Sequence, residues 1–330
     1  MAGALPTGIE LKRSPLVSVV IPTYNHRAFV LDTLASVLRQ RFTDYEIVVV
    51  NDGSPDDTAE LLRPLVSSGQ IRYIDQANAG QAAARNRGIT EARGTFIALL
   101  DDDDLWPPDK LEWQVAALVA SPQSVLVYGT MRGLDARSEA PERDAGLPTA
   151  SDRSLPPEDA YRLFLTGNWI TSPGQTLISR KALLGVGGFD STIWGVDDWD
   201  LYIRLARTGH FVASERVALW YRVHAGNASA DAERMTTNML TVQRRHVGRL
   251  PRPGYVREWL SSTRATHGYL ASLFCREALD HMSRGDHGRA LRSWWSGLCL
   301  QPGFLRHARL RRSLITCIML ALTSPRHAVS

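Results

Sequence analysis

"ALLDDDDLWPPDK", Ala98 to Lys110, runs an apolar strand straight into four consecutive carboxylates, Asp101 to Asp104. Adjacent like charges disfavour one another's ionisation, so the run needs a reason. A solvated acidic turn is one reading. A hard divalent cation is the other. Mg2+ and Mn2+ take oxygen ligands, keep several waters and bind through one or two carboxylates plus substrate phosphates. The segments on either side decide between the two.

Upstream, "LVSVVIP" (Leu16 to Pro22), "EIVVVNDGS" (Glu46 to Ser54), "IRYID" and "TFIALLD" read as four short apolar strands. Between them "RAFVLDTLASVLRQ", "PDDTAELLRPLV" and "GQAAARNRGITEARG" have helical spacing. The second carries Asp56 or Asp57 near its start, where a carboxylate suits the helix dipole, and the third is ended by a glycine. Apolar strands alternating with helices, without hairpin turns, predict an α/β fold with a parallel sheet and helices on both faces. Ligands of such sheets bind beyond the carboxyl ends of the strands. "TYN" (Thr23 to Asn25), "NDGS" (Asn51 to Ser54) and "DDDD" all follow strand ends, so they are expected to meet at one crevice. A solvated turn has no reason to share that rim. No G-x-G-x-x-G and no P-loop follows the first strand, which argues against a dinucleotide cofactor.

Downstream, Pro107 and Pro108 are expected to start a helix carrying Lys110 to Leu118. Met131 to Pro157 is polar and turn-rich and reads as a mobile excursion over the site. Then come an amphipathic helix "EDAYRLFLTG", a strand near "QTLIS", a tight turn at Gly187 and Gly188, and a helix from Asp200 to Arg207. "FVASERVALWYRVH" is a strand or strand pair ending at His224. Beyond Asp231 the pattern is helical, with two amphipathic helices separated by "RGD". Trp194 and Trp199 suit either stacking on an acceptor sugar or core packing.

With 330 residues, 44% hydrophobic and 8% aromatic, the chain can build a large core. Its three cysteines form neither a metal spacing nor an even disulfide framework, which fits a reducing cytosol. "MAGALPTGIELKRSP" lacks the apolar stretch of a signal peptide. The longest apolar run, Ser313 to Pro325, is about half of what spans a bilayer. From Thr241 to Ser330 there are fifteen arginines, no lysine and four acids, a balance of +11. The whole chain carries +4, so the remainder sums to −7. An arginine-rich tail on an acidic body suits anionic membrane lipid or a protein partner. "FLRHARLRRSLITCIMLAL" has the composition of an interfacial helix, or of one whose leucines pack on the body. The aromatic interleaving of a nucleic-acid binder is missing.

Five segments in order, "VSVVIPTYN", "EIVVVNDGSPDDT", "NAGQAAARNRGITEARGTFIALLDDDDLWPPDKLE", "GVDDWDLYIRLARTGH" and "YRVHAGNAS", resemble the family-two inverting glycosyltransferases of the GT-A fold. The resemblance covers Pro15 to Ser229. It implies an N-terminal extension (1–14), a GT-A catalytic domain (15–230) with a mostly parallel central sheet flanked by helices, and a helical C-terminal extension (231–330). It also implies a nucleotide-diphospho-sugar donor. Pro22, Thr23, Tyr24 and Asn25 would line its base and ribose pocket, Asp52 would accept a hydrogen bond from the base, and Arg85 would lie near the phosphates. Asp101 and Asp102 would face the ribose, Asp103 would hold Mg2+ or Mn2+, and His224 would close on the metal or diphosphate.

"VDDWDL" resembles the family's acidic-Asp-Trp-Asp-Leu pattern, with Asp197 where the family commonly has Glu. Asp198 is then the general base, Asp197 the second candidate, and helix capping the competing role for either. The chemistry is coherent with this. A cation and an arginine can neutralise a departing diphosphate, while a carboxylate on the opposite side deprotonates the acceptor hydroxyl. A glycan or lipid-linked acceptor is implied, as is a cytoplasmic enzyme, peripheral at the inner membrane face if the tail binds lipid. A sugar nucleotidyltransferase would need a glycine-rich basic loop after the first strand, which "IPTYN" is not. A catalytically silent nucleotide-binding module would have no use for Asp103, Asp198 and His224 together.

Overall fold

The computed structural model describes residues 14–135, 152–224, 231–248, 252–300 and 314–315. The N-terminal extension before Ser14, the middle of the polar excursion, the "AGNAS" after His224 and the segment from Phe304 to Leu322, apart from Leu314 and Ile315, lie outside the described residues.

The first half alternates as expected: β1 (Val17–Thr23), α1 (Val30–Leu38), β2 (Tyr45–Asn51), α2 (Thr58–Ser67), β3 (Arg72–Asp75), α3 (Gln81–Glu91) and β4 (Phe96–Leu99). All pairings among these strands are parallel, with β1 between β2 and β4. Their continuous apolar runs have a physical cause. Alternate residues enter two different cores, because both faces are covered. Val20, Val48, Val50, Ile97 and Leu99 pack with α3 on one face. Val19, Ile21, Ile47, Val49 and Ala98 pack with Leu34 of α1 and Leu62 of α2 on the other. The chain leaves β1 towards β2 but arrives at β4 on the opposite side. The loops after β1 and β4 therefore part at a topological switch point, where a crevice forms.

The second half has the expected elements but adds antiparallel strands. It comprises α4 (Lys110–Ala120), β5 (Ser124–Asp135), β6 (Arg153–Leu155), α5 (Pro157–Thr166), β7 (Thr176–Ser179), α6 (Arg180–Gly185), α7 (Asp197–Leu205) and β8 (His210–Val223). The eight strands make one sheet, ordered β3-β2-β1-β4-β7-β5-β8-β6. β7 is antiparallel to both β4 and β5, and β6 is antiparallel to β8, so the sheet is mixed. A 3-10 turn at Pro173–Gln175 feeds β7 in from the opposite end, a reversal that strand–helix alternation cannot reveal. Both ends of the polar excursion are strand: Met131 to Asp135 completes β5, and β6 forms an edge. "FVASERVALWYRV" lies within one strand, bulged against β5. Helix α7 starts at Asp197 instead of Asp200. Gly187 and Gly188, with φ of +84 and +69, make the expected turn.

The C-terminal part is helical: α8 (Ala232–His246), α9 (Val256–Ser283) and α10 (His287–Leu300). The "RGD" lies between α9 and α10, with Gly285 at φ +75. Helix α9 packs on α5 and α8. No helix among the described residues is long and apolar enough to cross a membrane.

Helix α3 matters most for the site, and small residues let it approach the sheet. A Cβ at Gly88 would lie 2.3 Å from Val20 Cγ1. Gly94, expected as a helix terminator, instead serves close approach, since a Cβ there would lie 2.6 Å from the Ser18 nitrogen. Gly88→Val overpacks this contact. Urea unfolding of the variant is expected to show a loss of about 2–3 kcal/mol; an unchanged midpoint would refute the account of α3 seating.

Candidate active site

The three strand-end segments meet. The Asp52 N–H donates to the Thr23 carbonyl (2.9 Å), Asn25 N–H to Ser54 Oγ (3.0 Å) and Tyr24 N–H to Asp102 Oδ2 (3.3 Å). Asn25 adopts φ +56, a left-handed turn position that asparagine tolerates. Together with α3 and α7 they enclose a cleft of about 550 Å3, the scale of a small-molecule site. Pro22, Thr23, Tyr24, Asp52, Arg85, Asp101, Asp102, Asp103, Asp197 and Asp198 all line it. Of the expected site residues, Asn25 and His224 fall outside the lining.

Each of the four aspartates has its own partner. Asp101 Oδ1 accepts from Arg85 Nη2 at 2.7 Å and from Gln81 Nε2 at 3.1 Å. Asp102 Oδ1 lies 2.7 Å from His26 Nδ1. Asp103 Oδ2 lies 2.9 Å from His224 Nε2. Asp104, fully buried, accepts from the Arg222 N–H at 2.9 Å. The pKa of His26 is raised to about 9, because its hydrogen bond to the Asp102 carboxylate outweighs burial. Burial, then the charges of Asp101 and Asp102, push Asp103 up, and His224 offsets part of this. Burial and Asp103 do the same to Asp104, more strongly.

Arg85 is the hub of the cleft floor. It is buried, with Nη2 on Asp101 and Nη1 on Asp197 Oδ2 at 3.0 Å, and its guanidinium lies over Phe189. Burial pulls its pKa down, but Asp101 and Asp197 outweigh that and hold it above its ordinary value. Both terminal nitrogens thus already meet carboxylates, and the guanidinium ties α3 to the start of α7. Asp52 is similarly engaged: it accepts from Gln76 Nε2 (2.7 Å) and from the Ala79 (2.9 Å) and Gly80 (2.8 Å) N–H groups, which orders the loop before α3.

Asp197 and Asp198 sit in the first turn of α7, where the helix dipole favours carboxylates; neither makes a side-chain cap at the N-cap position. Their environments differ. Burial raises Asp197 and Arg85 pulls it back. Among the described residues, Asp198 has no arginine partner in hydrogen-bond contact. Its Oδ1 accepts from the Trp199 N–H (2.7 Å) and from Asn168 Nδ2 (3.3 Å). Burial, with the charge of Asp197 second, pushes it up to about 7. Trp199 is fully buried, its indole N–H donating to the Phe164 carbonyl, so it packs the core; Trp194 is half-buried and lines the cleft.

Sequence reasoning missed two polar residues. His26 directly follows the "TYN" turn, which was the available signal. Asn168 lies 30 residues before Asp198, on a segment without a pattern. Thr23 Oγ1, Arg85 Nε and Asn168 Oδ1 are buried with no hydrogen-bond partner among the described residues, as donors and acceptors awaiting a ligand would be.

Residues 18–186 match the family model described as Glycosyl transferase family 2. An uncharacterized glycosyltransferase of Nostoc sp. is 30% identical over 67% of this chain and 69% of its own length. The chondroitin synthase of Escherichia coli is 29% identical over 66% of this chain, which spans 30% of that enzyme's length. The mannosyltransferase PcManGT of Pyrobaculum calidifontis, solved with GDP-Man and Mn2+, superposes with a TM-score of 0.59 at 18% identity, covering 94% of this chain and 86% of that one. That likeness is one of fold, a mixed α/β sheet of the GT-A kind with C-terminal helices.

Burial of Asp198 has a consequence for stability. Its folded pKa is raised, so the folded chain holds the proton more tightly than the unfolded chain does. Stability therefore falls as pH rises from the unfolded carboxylate range through about 7. Asp198→Asn cannot ionise. Relative to wild type, its unfolding free energy is expected to improve by about 2–3 kcal/mol between pH 5 and pH 8. Urea titrations at both pH values measure this; parallel pH dependence in the two proteins would overturn it.

Proposed function

The chain belongs to glycosyl transferase family 2, and on that premise we propose that it is an inverting, metal-dependent glycosyltransferase. It moves a sugar from a nucleotide-diphospho-sugar to a hydroxyl acceptor in glycan or surface-polysaccharide assembly. The observation that carries this reading is one cleft lined, from different elements, by Asp103, which is hydrogen-bonded to His224, and by the raised carboxyl of Asp198.

In this reading Pro22, Thr23, Tyr24 and Asn25 shape the base and ribose pocket, with Asp52 and Asp101 as polar anchors. The buried Thr23 hydroxyl, without a partner among the described residues, is one donor the nucleoside can satisfy. Arg85 acts chiefly by holding Asp101 and Asp197 in place, and lends positive charge to the floor.

Asp103 and His224 would hold Mn2+ or Mg2+ through one carboxylate oxygen and one imidazole, a two-residue set since no group of three or more His, Cys, Asp or Glu that could hold a metal occurs among the described residues. When bound, such an ion would supply Lewis-acid neutralisation of the departing diphosphate. Asp102 with His26, and Asp104 with the Arg222 backbone, fix the loop that presents Asp103.

Asp198 takes the proton. The acceptor oxygen bonds to the anomeric carbon as the bond from that carbon to the diphosphate oxygen breaks. The acceptor proton passes to the carboxylate of Asp198, whose Oδ1 is already occupied by Trp199 and Asn168. Asp197, held by Arg85, is poorly placed to act as a second nucleophile, which favours a single displacement with inversion. A pKa near 7 suits a general base at neutral pH.

Calorimetric titration with UDP, GDP and dTDP, each with and without Mn2+, tests the donor side. One nucleotide is expected to bind with Mn2+ and to lose at least about tenfold in affinity in Asp103→Ala. Binding that ignores Mn2+, or no binding, would remove the proposal. For the base, kcat is expected to rise as pH increases through about 7 and then level off. Asp198→Asn should lower kcat by about 10^2–10^4 with nucleotide affinity retained. A flat pH profile or an active variant would reassign the base.

A further inference from the structure

We infer that Arg234, at the start of α8, forms with Trp194 the acceptor-side wall of the cleft and selects an acceptor bearing a phosphate or carboxylate near the reacting hydroxyl. This rests on the glycosyltransferase reading above. Within the cleft, the cations Arg85 and His26 are each engaged by carboxylates. Arg234 also lines the cleft, yet its guanidinium lies 4.0 Å over the Trp194 ring and meets no carboxylate within ion-pair distance among the described residues. A guanidinium stacked on an aromatic face keeps its N–H fork for a planar or tetrahedral anion, which it binds with charge-assisted, bidentate hydrogen bonds.

Its position is set by the fold, although the side chain itself is exposed. Helix α8 is fastened along the loop that leads into α7. Asn238 Oδ1 accepts the Trp194 N–H at 3.0 Å, one turn from Arg234 on the same face of α8. A Cβ at Gly195 would lie 2.8 Å from Met235 Sδ, so the loop is seated directly on α8. Further along, Arg245 pairs with Asp190 at 2.7 Å, and Arg245 and His246 both reach Asp200 of α7. The guanidinium is thus tied to the segment that carries Asp198. The proposed diphosphate end, Asp103 and His224, is built from other elements, the end of β4 and the end of β8. Because Arg234 is seated on the Trp194–Gly195 loop leading into α7, its anion is assigned to the molecule that Asp198 deprotonates.

The test uses the full chain saturated with whichever nucleotide diphosphate binds in the Mn2+ titration. Glucose, glucuronate and glucose 6-phosphate are then titrated calorimetrically as probes. At least one anionic sugar is expected to bind tenfold or more tighter than glucose, and the better of the two distinguishes phosphate from carboxylate. Arg234→Gln should abolish that preference, and Arg234→Lys should restore part of it. Equal binding of all three probes, or binding of none, would overturn the inference. So would a preference that survives Arg234→Gln. A loss of nucleotide affinity in Arg234→Gln would place the guanidinium on the donor diphosphate and also overturn it. If no nucleotide binds the wild type, the donor-site reading fails first, and the inference falls with it for a distinguishable reason.

Discussion

Four carboxylates in a row at the end of one strand are stable only if each is led to a different partner. Asp101 goes to α3 through Arg85, Asp102 to the loop after β1 through His26 and the Tyr24 amide, Asp103 to His224 and Asp104 to the Arg222 backbone at the end of β8. Because neighbouring side chains of an irregular turn diverge, repulsion along the chain becomes a set of tethers between elements. The β4 loop is in effect the staple of the cleft. It joins β1, α3 and β8, which are distant in sequence and adjacent only at the carboxyl edge of the sheet.

Arg85 extends that staple to α7, and Asp200 extends it to the C-terminal helices. Asp200 is fully buried, and burial alone would push its carboxyl up. His246 and Arg204 outweigh burial and bring it to about 2, so it is ionised at any working pH. An ionised, buried carboxylate between α7 and α8 is costly if either partner leaves. The same helix that bears Asp198 is therefore held from two sides, by Arg85 in the sheet domain and by Arg245 and His246 of α8. The helical extension and the GT-A sheet thus both hold α7.

Asp198 shows what this arrangement costs. One residue earlier, Asp197 has an arginine; among the described residues Asp198 is bonded to a backbone amide and an asparagine only. Its proton affinity is raised by burial beside a second carboxylate, which weakens the fold at neutral pH. The proposed role in proton transfer would draw on the same desolvation.

The elements that carry local signals were legible in the chain. The parallel half, β1 to β4 with α1 to α3, follows from apolar runs alternating with helical spacing, and the meeting of Thr23, Asp52 and Asp101–Asp103 follows from the rule that parallel strands present ligands at their carboxyl ends. Family motifs pointed to Asp103, Asp198 and His224; the structure puts Asp103 and Asp198 in the lining of one cleft and His224 in hydrogen-bond contact with Asp103. What the chain did not disclose is set by contacts between remote segments. The reversed β7 and the edge strand β6 depend on which end of the sheet a short strand enters, and no local pattern encodes that direction. Trp199 and Trp194 look alike in sequence, yet one fills the core and the other faces the cleft, because α7 begins at Asp197. Asn168 and Arg234 reach Asp198 and Trp194 only through the packing of α5 and α8. Periodicity specifies which face of an element is apolar; only tertiary packing decides which polar groups are buried together, and with them the charge and proton affinity of the site.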